Sequence, residues 1–128
     1  DTCLSIYFQN FNDSHAYANR LSSIAHQYKI YADLMKYWGS VLGDNIYTVE
    51  YEKLVHDFGA ESKSLVEYCG IDWEDSCSEF FKNKRHVSTA SQDQVNKPIY
   101  STSLERWKNY EVHITELTDK LKEYKLIE

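Results

Sequence analysis

No glycine-rich turn of the form G-x-x-x-x-G-K occurs in these 128 residues; the four glycines, Gly39, Gly43, Gly59 and Gly70, stand far apart. A Walker-type phosphate cradle within the chain is therefore excluded. No apolar run approaches the eighteen residues that a membrane-crossing helix needs. The cysteines, Cys3, Cys69 and Cys77, are odd in number, and the gap between the last two fits no zinc motif. Free buried thiols are expected rather than a disulfide framework. The histidines, His15, His26, His56, His86 and His113, lack ligand spacing, so no metal site is expected. Nothing in the order of residues ties a serine or cysteine to a histidine and an acid, and no catalytic residue is assigned.

What is present is an ordinary globular composition, 42% hydrophobic and 27% charged, suited to one modest core. Eleven Tyr, five Phe and three Trp make that core aromatic, with many phenol hydroxyls to satisfy. No secretory leader is visible, and a cytoplasmic location is the expectation, any targeting region belonging upstream. The charge is uneven. Lys82, Lys84, Arg85, Lys97, Arg106 and Lys108 stand against Asp93 and Glu105 alone, a local +4 in a chain of net charge −6. This stretch also holds the only proline, Pro98, and a run of Ser, Thr, Gln and Asn, the makings of an anion-binding surface. It is too short to track a nucleic-acid duplex.

The periodicity predicts a mostly α chain with one strand. Leu4, Tyr7, Phe8 and Phe11 place a short helix within residues 1–11. Asp13 or Ser14 is expected to cap a long helix running to about Leu42, its stripe formed by Tyr17, Leu21, Ile24, Tyr28, Tyr31, Met35, Trp38 and Leu42, with Gly43 ending it. Ile46 to Tyr51 is β-branched and aromatic after an Asp-Asn turn, and reads as a strand. A helix from about Ala60 to Cys69 stops at Gly70, and Asp72 is expected to cap a short helix with Trp73, Cys77, Phe80 and Phe81 on one face. Residues 82–101 have no periodicity, and a loop that long is usually functional. Thr102 and Glu105 have the spacing of a capping box that opens a last helix, with Leu104, Trp107, Ile114, Leu117 and Leu121 inward.

A single strand cannot form a sheet, because both of its edges would carry unpaired backbone donors and acceptors. Strand 46–51 is therefore expected to pair with a missing N-terminal half, to self-associate with a second copy, or to stay in solvent as an irregular segment.

The pattern Thr89-Ala90-Ser91-x-x-Gln94-Val95-x-x-Pro98-Ile99-Tyr100, followed by Arg106-Trp107, closely resembles the sulfotransferases that use 3′-phosphoadenosine-5′-phosphosulfate (PAPS). Tyr31-x-x-Leu34-Met35-x-x-Trp38, Val49-Glu50-Tyr51-Glu52-x-Leu54-Val55 and Cys69-Gly70-Ile71-Asp72-Trp73 extend the resemblance over nearly the whole chain, in order. It is most similar to bacterial members often fused to tetratricopeptide repeats, and more distantly to tyrosylprotein sulfotransferases. The resemblance implies that residues 1–128 are the C-terminal part of an α/β, P-loop-like sulfotransferase fold whose parallel sheet is largely missing here. The opening residues look like the segment after the family's Arg-Asp-Pro motif.

The resemblance also implies roles. Ser5 is expected to hydrogen-bond the 3′-phosphate of PAPS and Tyr51 to pack near the adenine. Ser91, Gln94, Val95, Lys97, Pro98 and Tyr100 are expected to wrap the nucleotide within a loop of about 82–108, Lys97 supplying charge and Pro98 fixing the turn. Arg106 is expected to reach the phosphates from the other side. Hydroxyls, backbone N–H groups and cations are the donors that a phosphate needs. In the family the 5′-phosphosulfate loop and the general base lie upstream of Asp1, so this chain by itself is expected to be inactive. The alternative is a stand-alone helical interaction module that keeps the scaffold without catalysis.

Overall fold

A computed structural model describes residues 1–11, 13–83 and 92–128, with backbone alone at Asp13, Ser14, Gln92 and Asp93. Among the described residues the chain is mostly helical and contains no strand. Six α-helices appear there in order: α1 (Thr2–Phe8), α2 (Leu21–Leu42), α3 (Tyr51–His56), α4 (Phe58–Tyr68), α5 (Gln92–Val95) and α6 (Thr115–Glu123). Tighter 3-10 segments lie at Asp13–Asn19, Gly43–Asn45, Asp75–Lys82 and Arg106–His113. No helix among the described residues is long and apolar enough to cross a membrane. The chain divides into two compact units, Asp1–Ile46 with Glu105–Glu128, and Tyr47–Leu104.

The first unit holds the core. Leu21, Ile24 and Ala25 of α2 cluster with Cys3 and Leu4 of α1 and with Ile114, Leu117 and Leu121 at and within α6. Tyr17, Tyr28, Trp107, Tyr110 and Tyr124 pack around it. Ile24, at 1% exposure, is the large side chain sealed most completely. The Asp1 carboxylate accepts the Trp107 backbone N–H at 2.8 Å, so α1 is tied directly to the start of the 106–113 segment.

Only the first half of the α2 stripe is buried. At 1.5 Å per residue α2 is about 33 Å long, whereas α1 and α6 are about 10 and 14 Å. The shorter helices cannot cover it. Ile30, Tyr31, Leu34, Tyr37, Trp38, Val41 and Leu42 all remain exposed, Tyr37 at 61% and Val41 at 60%. Gly43 ends the helix at a positive φ of 52°, a conformation that costs a side-chain-bearing residue more.

The long helix expected from Asp13 or Ser14 is instead broken. Residues 13–19 form a kinked 3-10 segment, non-helical at His15, and Arg20 is extended before α2 begins. His15 meets both Phe11 (5.2 Å) and Tyr17 (5.9 Å) edge-on. Residues two apart do not face each other on an α-helix, so the His15–Tyr17 contact requires the irregular backbone.

The expected strand at Ile46–Tyr51 does not form. The backbone is extended at Ile46 and Glu50, but Tyr51 opens helix α3. Without a neighbouring strand an extended segment has no ladder to join; here the Ile46 N–H closes a turn on the Gly43 carbonyl and the Glu50 carbonyl accepts the Leu54 N–H instead. The period of two survives as alternating exposure: Tyr47 and Val49 are half-buried, Thr48 and Glu50 exposed. The strand on which self-association was expected to rest is thus absent.

In the second unit, α4 follows its sequence signals closely. The Asp57 carboxylate accepts the Ala60 N–H at 3.1 Å as an N-cap. The helix closes in a Schellman turn, with Gly70 at φ 68°, Gly70 N–H on the Glu67 carbonyl and Ile71 N–H on the Val66 carbonyl. Tyr47 packs on Tyr68 (4.9 Å) and Phe58 on Phe80 (5.6 Å). Two expected caps fail. Asp72 caps nothing; the next segment starts at Asp75 after Glu74, and Trp73 instead carries the Lys63 ammonium 5.6 Å above its ring. Thr102 and Glu105 form no capping box: Leu104 N–H closes a turn on the Ser101 carbonyl, Glu105 is left-handed at φ 56°, and its carboxylate reaches forward to Lys108 at 2.6 Å. The last helix is therefore split into 106–113 and α6. Within the expected loop 82–101, residues 92–95 make the single turn α5, and 84–91 lie outside the described residues.

Cys3 is buried, Cys69 exposed and Cys77 between them. Burial, the dominant cause, pushes the Cys3 thiol above its ordinary value of 9.0, partly offset by the N-terminal ammonium and a backbone hydrogen bond. The thiol of the unfolded chain thus ionises first, so the stability Cys3 contributes is whole below pH 9.0 and drains away as pH rises toward the higher folded value. Urea denaturation from pH 7 to 10.5 should show that decline, and Cys3→Ala should flatten it. Mass-detected alkylation of the native protein should label Cys69 first and Cys3 last.

Candidate functional site

The basic stretch sorts itself by ion pairing. Lys82 is neutralised by Glu79, one turn earlier, and Lys108 by Glu105 at 2.6 Å. Lys97 and Arg106 have no carboxylate partner among the described residues, and both are exposed. Lys84, Arg85 and Ser91 lie outside the described residues. An uncompensated cation is the one whose field reaches an incoming anion; a paired one is largely cancelled at short range.

In the first unit Arg106 is held in a defined place. Its Cζ sits 5.2 Å from the centroid of the Phe8 ring, over the face. Phe8 is in turn braced edge-on by Tyr110 at 5.1 Å and 66°. Phe8 ends α1, and Ser5 lies three residues earlier on the same exposed face of that helix. Ser5 therefore shares the helix face of Phe8, the residue over which the Arg106 guanidinium sits. The backbone N–H of Trp107 is already committed to Asp1.

In the second unit the structure brings Tyr51 and Tyr100 together. The Tyr51 phenol is raised above its ordinary value of 10.0, first by burial, then by Tyr100 and Glu52, while a hydrogen bond from Ser103 works in the opposite direction. Tyr51, Tyr100 and Ser103 thus place two phenols and a hydroxyl near the start of α3, groups that offer aromatic faces and hydrogen-bonding edges. Just before it in sequence, Lys97 N–H closes a turn on the Gln94 carbonyl at 3.1 Å. Val95, Lys97 and Pro98 are exposed there.

Two residues of this geometry escaped the sequence reading. Ser103 sits in the hydroxyl run Ser101-Thr102-Ser103 just after Tyr100, which was the available signal. Phe8 was counted only as an apolar position of the first helix, and its contact with Arg106 spans ninety-eight residues of sequence.

A family model described as "Sulfotransferase family" matches residues 1–75. An uncharacterized protein of Aquifex aeolicus (strain VF5) is 35% identical over 126 residues, 96% of this chain but 17% of that protein. The chain thus spans about a sixth of that relative's length. No solved structure matches. Ser5 and Tyr51 fall inside the family match, whereas Gln94 to Arg106 lie beyond it.

The Tyr51 cluster can be checked by titration. In NMR-detected titration Tyr51 should ionise above pH 10.0, Ser103→Ala should move it higher still, and Tyr100→Phe should bring it down. A Tyr51 that ignores both substitutions would dissolve the cluster.

Proposed function

Because the chain belongs to the sulfotransferase family, we propose that residues 1–128 form the C-terminal, nucleotide-facing part of an α/β sulfotransferase domain that uses PAPS. The observation that carries this reading is electrostatic. Among the described cations of the 82–108 stretch, the two without a carboxylate are Lys97 and Arg106. Each is, in its own unit, a donor that a phosphate accepts: Lys97 a point charge, and Arg106 a planar fork on the unit that also carries the Ser5 hydroxyl.

In this reading Ser5 and Arg106 serve the 3′-phosphate, and Tyr51 with Tyr100 offers an aromatic surface to the adenine. Ser91, Gln94, Val95, Lys97 and Pro98 form the strap around the nucleotide. Sulfuryl transfer breaks the bond from sulfur to the phosphate oxygen and forms one to an acceptor hydroxyl oxygen. The acceptor proton passes to a base, and 3′-phosphoadenosine 5′-phosphate leaves. Such transfers depend on positioning and on charge at the moving group. This chain's share is the positioning, since no phosphate-cradling turn lies within it. The parallel sheet of the fold is also part of the proposal; the uncovered half of α2 and the unpaired extended segment 46–50 support it, as surfaces suited to a sheet layer.

Calorimetric titration with 3′-phosphoadenosine 5′-phosphate should show binding, with adenosine much weaker. Lys97→Ala and Arg106→Ala should each lose about 1.5–3 kcal/mol, roughly ten- to hundredfold in affinity. Lys82→Ala, already paired with Glu79, should change little. Affinity should weaken with added salt. Equal affinity in wild type and Lys97→Ala would remove Lys97 from the site.

The same reading sets an expectation for activity. Purified 128-residue chain supplied with PAPS and mixed hydroxyl acceptors should release no 3′-phosphoadenosine 5′-phosphate above background. Measurable turnover would mean that the chain contains its own reacting centre.

A further inference from the structure

We propose that Phe8 is the positioning residue of the anion site: its ring holds the Arg106 guanidinium aimed for phosphate binding before any ligand arrives. The inference rests on the reading of Arg106 as a phosphate contact and adds the residue through which that contact is organised. Arg106 has no carboxylate partner among the described residues, so electrostatics alone leaves its long side chain free to wander. What fixes it is the Phe8 ring 5.2 Å from Cζ, with Tyr110 setting the orientation of that ring from 5.1 Å.

The chemistry of the contact suits the task. A carboxylate partner would neutralise the guanidinium and compete with a phosphate for the same N–H groups. An aromatic face attracts the cation through its quadrupole and takes none of the five in-plane donors, which stay available for a forked contact. The ring thus restrains the side chain while leaving its charge and its donors intact. Because Ser5 lies one turn before Phe8 on α1, the same helix registers hydroxyl and guanidinium against each other.

The test is a double-mutant cycle on the 128-residue chain, titrated calorimetrically with 3′-phosphoadenosine 5′-phosphate. Phe8 is 44% exposed, so Leu is tolerated at that position, and far-UV circular dichroism checks the fold of each variant. Phe8→Leu should weaken binding about two- to fivefold, the range of an exposed cation–π contact. Phe8→Trp should hold or improve affinity, because Trp is the better partner. In the Arg106→Ala background Phe8→Leu should have no further effect. NMR should find the Arg106 δ-protons shifted upfield by the ring current in wild type and Phe8→Trp, and unshifted in Phe8→Leu. If Arg106→Ala loses tenfold while Phe8→Leu loses nothing, the positioning role of Phe8 is overturned and the site reading stands. If Phe8→Leu weakens binding equally with and without Arg106, Phe8 acts by another route and the inference is again overturned. If Arg106→Ala binds like wild type, the reading of Arg106 itself falls and takes the inference with it, the upfield shift then marking a purely structural contact.

Discussion

The packing of α2 on α6 is the contact on which the first unit depends. Leu21, Ile24 and Ala25 from one end of the sequence close on Ile114, Leu117 and Leu121 from the other, with Cys3 and Leu4 of α1 in the same cluster. That closure carries Arg106, which precedes α6 by nine residues, to the face of α1, where it meets Phe8. No local signal could do this. Helical periodicity places the apolar faces, and their burial then moves charged residues that had no tendency of their own to meet.

Electrostatics then decides which charges are available. A basic stretch in an acidic chain suggests an anion site, but half of its described cations are cancelled by glutamates a turn away. The remaining two gain meaning from what is not beside them. Exposed i, i+3 pairs such as Lys108 with Glu105 add little to stability. Their larger effect is to leave Lys97 and Arg106 as the uncompensated cations among the described residues of that stretch. The aromatic bracing of Arg106 uses the opposite device, restraint without neutralisation.

The uncovered half of α2 and the segment at 46–50 both depart from what their sequence patterns lead one to expect. One is a stripe continued past the reach of α1 and α6, the other a β-rich run with no ladder to join. Seven large exposed apolar side chains on one helix half exceed what isolated surface hydrophobics explain. The Aquifex relative, of which the chain spans 17%, is much longer.

The sequence alone determined the helical class, the family and part of the core, since Tyr31, Trp38 and Leu42 of the expected stripe are exposed. Leu21, Ile24, Ile114, Leu117 and Leu121 were legible because burial follows a 3.6-residue period, and the ends of α2 and α4 were legible because Gly43 and Gly70 occupy backbone that disfavours other residues. Glu105 was misread because its spacing from Thr102 fits a cap on paper, while its backbone adopts a left-handed turn and its side chain pairs forward with Lys108. Ile46 to Tyr51 was misread because β propensity describes what a residue tolerates, and a strand exists only where another strand accepts its hydrogen bonds. Tertiary structure decided which cations stay unpaired, that Ser103 joins Tyr51, and that Arg106 lies over Phe8. The ion pairs are local choices of side-chain geometry, whereas the Ser103 and Phe8 contacts join residues remote in sequence, which only the folding of each unit brings together.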